Sequence, residues 1–371
     1  MHSLRDDILA LVEIPSVTGN ESTLAEWLTA RLARSPHAVA HEITRIGDSL
    51  VVRPRERGTL GHAVRPLVVL AGHTDTVPVG EAPSPRLVEG KVHGRGSADM
   101  KAGLAVMLGL YESMRPDSGF ASLAYVFYAG EEGAAEKNEL RVVMEEAPWL
   151  ASADLAILLE PTAGSLELGC QGSLHLEVEF QGKACHSARP WLGEHPLRKA
   201  LPWLERTLAI APREVTLHGV SFKEVVSLTQ LHAGEARNVI PGVMRVNVNL
   251  RYPPDRSPEE AEAYAFRLAP PAEHASVAIR DHAVAAPISM DAPLYRHLLA
   301  RTGLPRSAKQ AWTDVARFTA LGVPALNWGP GDPRLAHTKE EWVDAAEADR
   351  VLAAMRDFFL GPAPEPEGVP E

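Results

Sequence analysis

"SLAYVFYAGEEG", residues Ser122 to Gly133, runs an apolar stretch through a glycine into two adjacent acids, Glu131 and Glu132. A run without polar alternation reads as a strand buried on both faces, the habit of parallel sheets in α/β proteins. Two carboxylates side by side at its end disfavour each other's ionisation unless a cation stands beside them. The ordinary alternative is a solvated loop with both acids in water. Which reading holds depends on what the other strands deliver to the same edge.

Three further runs share this character: "RPLVVLAG" (Arg65–Gly72), "DLAILLE" (Asp154–Glu160) and "VPALNWG" (Val323–Gly329). "DMKAGLAVMLGLYESM" (Asp99–Met114) reads as a helix with Asp99 at the N-cap. Strands alternating with helices predict an α/β domain with a mixed, mainly parallel sheet flanked by helices. From about Ser173 the pattern changes. "SLHLEVEF" (Ser173–Phe180) and "MRVNVNLRY" (Met244–Tyr252) alternate with period two, so one face is buried and one is wet. With helical stretches near Pro196–Ile210 and Pro258–Leu268, the order β-α-β-β-α-β predicts an inserted α+β domain. The expected division is a discontinuous domain of residues 1–171 and 282–371, an insert of 172–281, and a disordered Pro- and Glu-rich tail at 361–371. "GRGSAD" is discarded as a dinucleotide loop, because its third glycine is missing and no strand precedes it.

Composition narrows the class. The chain of 371 residues, 45% hydrophobic and 23% charged, suits a soluble globular protein of about two domains. The first residues are polar and acidic with no apolar stretch behind them, so neither a secretory signal nor a membrane span is expected. Two cysteines, Cys170 and Cys185, make no disulfide framework, and a cytoplasmic setting is expected. A formal charge of −11 argues against nucleic acid as partner.

In an open α/β sheet the ligand site lies beyond the carboxyl ends of the strands. The first strand runs into His73 and Asp75, the second into Glu131 and Glu132, the third into Glu160, and the last leads on to His337. Asp99 opens its helix after a Gly-rich turn. Taken singly, each has an ordinary reading as a cap, a turn residue or a solvated loop residue. Together they gather nitrogen and oxygen donors without thiolate, which suits Zn²⁺ or a neighbouring divalent ion such as Mn²⁺ or Co²⁺.

The motifs "GHTDTVP", "GRGSADMKAG", "AGEEG", "LLEP", "GKACHSARP", "GEARNVIPG" and "AHTKEEW" resemble, in order and over nearly the whole chain, the M20 family of di-zinc amidohydrolases and peptidases. The resemblance implies a zinc-exopeptidase-like catalytic domain and a ferredoxin-like lid and dimerisation domain. It implies two Zn²⁺ per subunit, one held by His73, Asp99 and Glu160, the other by Glu132, Asp99 and His337, with Asp99 bridging. Asp75 matches the acid that orients His73, and Glu131 the general base of amide hydrolysis. The two glutamates of the opening stretch would thus divide the labour. His186 matches the donor that steadies the tetrahedral oxyanion; in the family it serves the partner subunit's site, which implies a homodimer. Arg251, Asn238 and Thr313 match substrate-pocket positions. Arg189 and Arg317 are further candidates, Arg317 reading better as structural.

"KQAWTDVARFTALGVPALNWGPGDPRLAH" is similar to the actinobacterial-type succinyl-diaminopimelate desuccinylases, which implies removal of succinate from N-succinyl-L,L-diaminopimelate. One departure stands out: many relatives have Gly-Thr or Gly-Gly-Thr where this chain has Ala311-Trp312-Thr313, so a tryptophan would narrow the pocket. An acetylornithine deacetylase-like enzyme, a dipeptidase, or a non-catalytic binding relative remain alternatives.

Overall fold

The computed structural model describes residues 4–364, so the expected disordered tail lies, from position 365 on, outside the described residues. The chain forms two compact units. The first comprises the chain up to Leu168, Ser289–Ser307, and everything from Arg317. Its sheet has eight strands, in the order His41–Ile46, Ser49–Pro54, Ser122–Tyr128, Leu67–His73, Leu155–Leu158, Ala325–Asn327, Leu166–Leu168 and Arg306–Ala308. From Ser122–Tyr128 across to Ala325–Asn327 the neighbours run parallel. The pairs flanking this centre, from His41–Ile46 to Ser122–Tyr128 and at Leu166–Leu168, are antiparallel.

Burial explains why these runs lack alternation. Every residue of Leu67–His73, Ser122–Tyr128 and Leu155–Leu158 is buried, so neither face has room for a polar side chain. The helix Ala102–Ser113 is buried almost all round, packed against the helices Leu4–Glu13 and Ala345–Leu360. Its second residue is Gly103, where a Cβ would collide with the Leu159 carbonyl oxygen. This helix therefore lies closer to the strand-end backbone than any side chain would allow. It begins at Ala102, not at Asp99 as its sequence suggests. Asp99 (φ −120°, ψ 96°) sits in an irregular turn, Ser97–Lys101, followed by a cis peptide to Met100.

The second unit is Gly169–Ile288 with Ala308–Ala316. Five antiparallel strands run in the order Arg213–Leu217, Val220–Ala233, Val243–Tyr252, Gly172–Gln181 and Ala275–Ala283. Without the short first strand, a hairpin arm, the order is that of a ferredoxin-like sheet. Leu174, Leu176, Val178 and Phe180 pack with Trp203 and Leu204 of the helix Leu197–Leu208 and with Ala261 and Ala265 of Pro258–Arg267. The latter helix opens on a capping box of Ser257 and Glu260.

Residues 169–171 and 282–288, and with them the segment 308–316, all expected in the first domain, belong to this unit instead. The reason is hydrogen bonding: Gln171 N donates to the Lys309 carbonyl (3.3 Å), Lys223 N to Gln310 Oε1 (3.1 Å), and Trp312 Nε1 to the Val284 carbonyl (3.2 Å). The segment has no hydrophobic period by which sequence could have assigned it.

A candidate metal centre at the carboxyl edge of the sheet

Each parallel strand delivers donors where it ends. Leu67–His73 closes on His73, with Asp75 two residues on; Leu155–Leu158 leads directly to Glu160. Ser122–Tyr128 turns at Gly130, whose φ is +79° and whose Cβ, if present, would strike the Lys137 carbonyl oxygen. Only glycine permits the bend that swings Glu131 and Glu132 over the edge. Ala325–Asn327 reaches His337 by a longer loop, and His337 itself sits at φ 62°.

Among the described residues three sets of donor atoms result, each with its members within 4.8 Å of one another: His73, Asp99 and Glu160; Asp99, Glu132 and His337; and His73, Glu131 and Glu132. Asp99 belongs to the first two, with Oδ1 3.1 Å from His73 Nε2 and Oδ2 3.4 Å from His337 Nε2. His337 Nε2 is also 2.8 Å from Glu132 Oε1.

The electrostatics are those of an acid-rich cluster. Burial opposes charge on His73, but its contacts with Asp75 and Asp99 and the fields of Glu160 and Glu131 outweigh this, so its pKa rises well above the ordinary value. Hydrogen bonds with Asp99 and Glu132 raise the His337 pKa to about 10 against a smaller burial effect. Burial would push the Asp99 carboxyl up, yet His337 and His73 hold it below the ordinary range. In the protein alone, then, the two imidazoles act as the cations the acids require. A divalent ion would take that role and release their protons, because only neutral imidazole ligates.

Two buried carboxylates organise the ligand loops. Asp75 Oδ1 accepts the Glu131 amide and Oδ2 the Glu132 amide, each at 3.0 Å, and Oδ2 also accepts Thr18 Oγ1 at 2.8 Å. Burial raises the Asp75 pKa, but bonds from His73, Thr18 and the Glu132 amide prevail and lower it. His73 Nδ1 lies 3.0 Å from the Asp75 carbonyl and 3.5 Å from its carboxylate. The ring nitrogen thus faces both the carbonyl and the carboxylate of Asp75, and the same carboxylate fixes the Glu pair. The second carboxylate, Glu341, was not among the residues picked out from sequence. Its Oε1 accepts the amides of Ala98 (3.1 Å) and Asp99 (3.2 Å). These bonds hold the backbone of the Ser97–Lys101 turn that carries Asp99.

The remaining candidates lie in the second unit. His186, Arg189 and Asn238 share one loop cluster: Ser187 N donates to the Asn238 carbonyl and Arg189 N to the His186 carbonyl, both 2.8 Å. His186 is exposed, and its Nδ1 accepts the Ala188 amide at 3.1 Å, which leaves Nε2 as the N–H donor. Arg251 is on the strand Val243–Tyr252, half-buried, with Nε donating to Asn249 Oδ1 at 3.0 Å. Burial lowers its pKa, and among the described residues it makes no ion pair with a carboxylate. Thr313 is buried, its carbonyl accepting Cys170 Sγ at 3.7 Å.

A family model described as Peptidase family M20/M25/M40 matches residues 69–360. The chain belongs to the M20 family. Among curated M20 relatives it is 35% identical over 354 residues, 94% of each chain, to a succinyl-diaminopimelate desuccinylase of Corynebacterium glutamicum. A Mycobacterium tuberculosis H37Rv protein with the provisional name succinyl-diaminopimelate desuccinylase DapE is 37% identical over 353 residues, 95% of this chain and 96% of that one. Among solved structures, a Staphylococcus aureus tripeptidase matches with TM-score 0.72 at 18% identity, covering 96% of this chain and 97% of that one. A Bacillus subtilis protein described as a dinuclear metal-binding M20 peptidase gives 0.66 at 16% identity, covering 96% of each.

The donor set of this M20 chain fits a pair of divalent ions. Two triads share one carboxylate, and all donors are nitrogen or oxygen. Among the described residues no helix is long and apolar enough to cross a membrane.

Proposed function

We propose that this chain is a zinc-dependent amide hydrolase that removes succinate from N-succinyl-L,L-2,6-diaminopimelate, giving the L,L-diaminopimelate used for lysine and peptidoglycan precursors. The observation that carries the substrate is the 35% identity to a desuccinylase over 94% of the chain. The shared-carboxylate donor set supports the chemistry. Two Zn²⁺, for which Co²⁺ or Mn²⁺ can substitute, are held by His73, Asp99 and Glu160 and by Glu132, Asp99 and His337. When bound, they supply Lewis acidity toward the amide carbonyl.

Glu131 is the general base. Asp75 pins its backbone amide at 3.0 Å, and its carboxylate takes the proton of a water as that oxygen bonds to the amide carbon. Glu131 then delivers the proton to the nitrogen as the C–N bond breaks, leaving succinate and the free amine. His186 Nε2–H donates to the oxyanion in the tetrahedral state. Arg251 receives a substrate carboxylate: its guanidinium has no acid of its own among the described residues, and Asn249 fixes its angle. Arg189, Asn238 and Thr313 complete the pocket, and Trp312, pinned to the Val284 carbonyl, narrows its acyl end. The protein works in the cytoplasm as a homodimer through the second unit. Exposed Leu197, Leu201 and Leu208 on one helix support such an interface.

A panel of N-succinyl, N-acetyl and dipeptide substrates, assayed with added zinc or cobalt, tests the reading. The succinyl substrate should give the highest kcat/KM. Arg251→Ala should lower that value about tenfold to a hundredfold, as loss of a charged hydrogen bond does. It should spare the neutral amide analogue. A preference for dipeptides or N-acetylornithine would overturn the substrate, and equal losses on charged and neutral substrates would remove Arg251 from the pocket.

A further inference from the structure

Glu341 reaches the metal centre from the far end of the chain, four residues beyond His337. It is 1% exposed, while its neighbour Glu340 is exposed. Besides the amides of Ala98 and Asp99 on Oε1, its Oε2 takes Arg95 Nη1 at 2.6 Å, and its own carbonyl accepts the Gly94 amide at 3.1 Å. One residue is therefore bonded to Gly94, Arg95, Ala98 and Asp99, along the whole approach to the shared ligand.

The chemistry of that contact bears on Asp99. An aspartate just before a helix tends to fold its carboxylate back onto nearby backbone amides. Here the Lys101 amide, which such a carboxylate would meet, goes to the Gly96 carbonyl at 2.8 Å, Glu341 holds the Ala98 and Asp99 amides, and the Asp99 carboxylate stays turned to His73 Nε2 and His337 Nε2. A buried carboxylate is also an expensive way to hold a turn if holding is all it does, since its desolvation needs full compensation. We infer that Glu341 is a positioning residue, a strut that fixes the Asp99 turn so that Asp99 serves both metal sites and stays in register with His337. This rests on the dinuclear-hydrolase reading above.

The test uses the full chain, stripped of metal and then titrated with Zn²⁺ against a chromophoric chelator. Wild type, Glu341→Gln and Glu341→Ala are compared. As control, Glu224→Gln alters another buried carboxylate, which holds Arg213 and Arg256 in the second unit at 2.8 and 2.7 Å. Glu341→Gln should keep the melting temperature of the metal-free protein near that of Glu224→Gln. It should nevertheless lose about tenfold to a hundredfold in zinc affinity, the usual effect of removing a group that orients a ligand. With zinc saturating, kcat should fall and KM stay near wild type; Glu224→Gln should bind zinc as wild type does. If the Glu341 variants do not fold, Arg95→Lys, which changes the cation on Oε2 and drops the Nε bond to the Pro78 carbonyl, should show a smaller loss of affinity in the same direction.

Wild-type zinc affinity and stoichiometry in Glu341→Gln, or in Arg95→Lys where that variant stands in, would overturn the strut. So would a loss matched by Glu224→Gln. The outcomes separate from those of the parent reading. A wild-type chain that binds no stoichiometric zinc defeats the dinuclear centre itself, whereas a wild type binding two ions with unaffected variants defeats only the role of Glu341.

Discussion

In the proposed mechanism Glu131 and Glu132, neighbours in sequence, have opposite tasks. Both amides hang on Asp75, and the Glu132 carboxylate meets His337 at 2.8 Å. Glu131→Ala should therefore keep two metal equivalents and lose nearly all turnover, because only the proton carrier is gone. Glu132→Ala should lose one equivalent. Elemental analysis on gel-filtered protein decides; a metal-poor Glu131→Ala beside a metal-replete Glu132→Ala would reverse the assignment. At this scale most of the cluster was legible, since each strand announced its end with a donor. Glu341 was not, because "KEEW" reads as a run of solvated acids. One signal was there: Glu341 is in phase with buried Val343, two residues on, in the lead into the strand Trp342–Asp344.

The elements were easiest to read where burial left one solution. Fully buried strands gave themselves away by lacking polar alternation, and the second unit's Gly172–Gln181 by having it. The start of the helix Ala102–Ser113 was misread for a physical reason: Asp before a good helix former fits an N-cap, but the Lys101 amide it would cap is taken by the Gly96 carbonyl in an irregular turn that the sequence does not announce. Gly103 in the same helix makes a sharp prediction. Glycine to alanine in a helix normally stabilises by about 0.5–1 kcal/mol. Here the added methyl meets the Leu159 carbonyl, and overpacking of a tight contact costs about 1–3 kcal/mol. The second effect should win, so Gly103→Ala should lower stability in urea unfolding. A gain in stability would show that helix and strand end do not approach so closely.

For the whole molecule, the question is whether one chain makes a complete site. His186 belongs to the second unit and Glu131 to the first. If His186 serves the partner of a two-fold dimer, two variants each nearly inactive alone, Glu131→Ala and His186→Ala, should complement each other. Random re-association makes half the dimers mixed, each with one intact site, so about a quarter of wild-type activity should return. Co-refolding with zinc and assaying the mixture reads this directly, and no recovery with mixed dimers verified by mass would leave His186 acting within its own chain. The order of the first sheet carries a consequence for biosynthesis. Ala325–Asn327, late in the chain, lies between Leu155–Leu158 and Leu166–Leu168, which leave the ribosome far earlier. Until it emerges, the nascent sheet has a gap in its middle and two unpaired strand edges facing it, the kind of edge that recruits other chains. His337 follows still later, so the donor set of the candidate metal centre is incomplete until synthesis is almost finished. A chain stalled after the inserted unit would be open to aggregation at a seam that the finished enzyme buries.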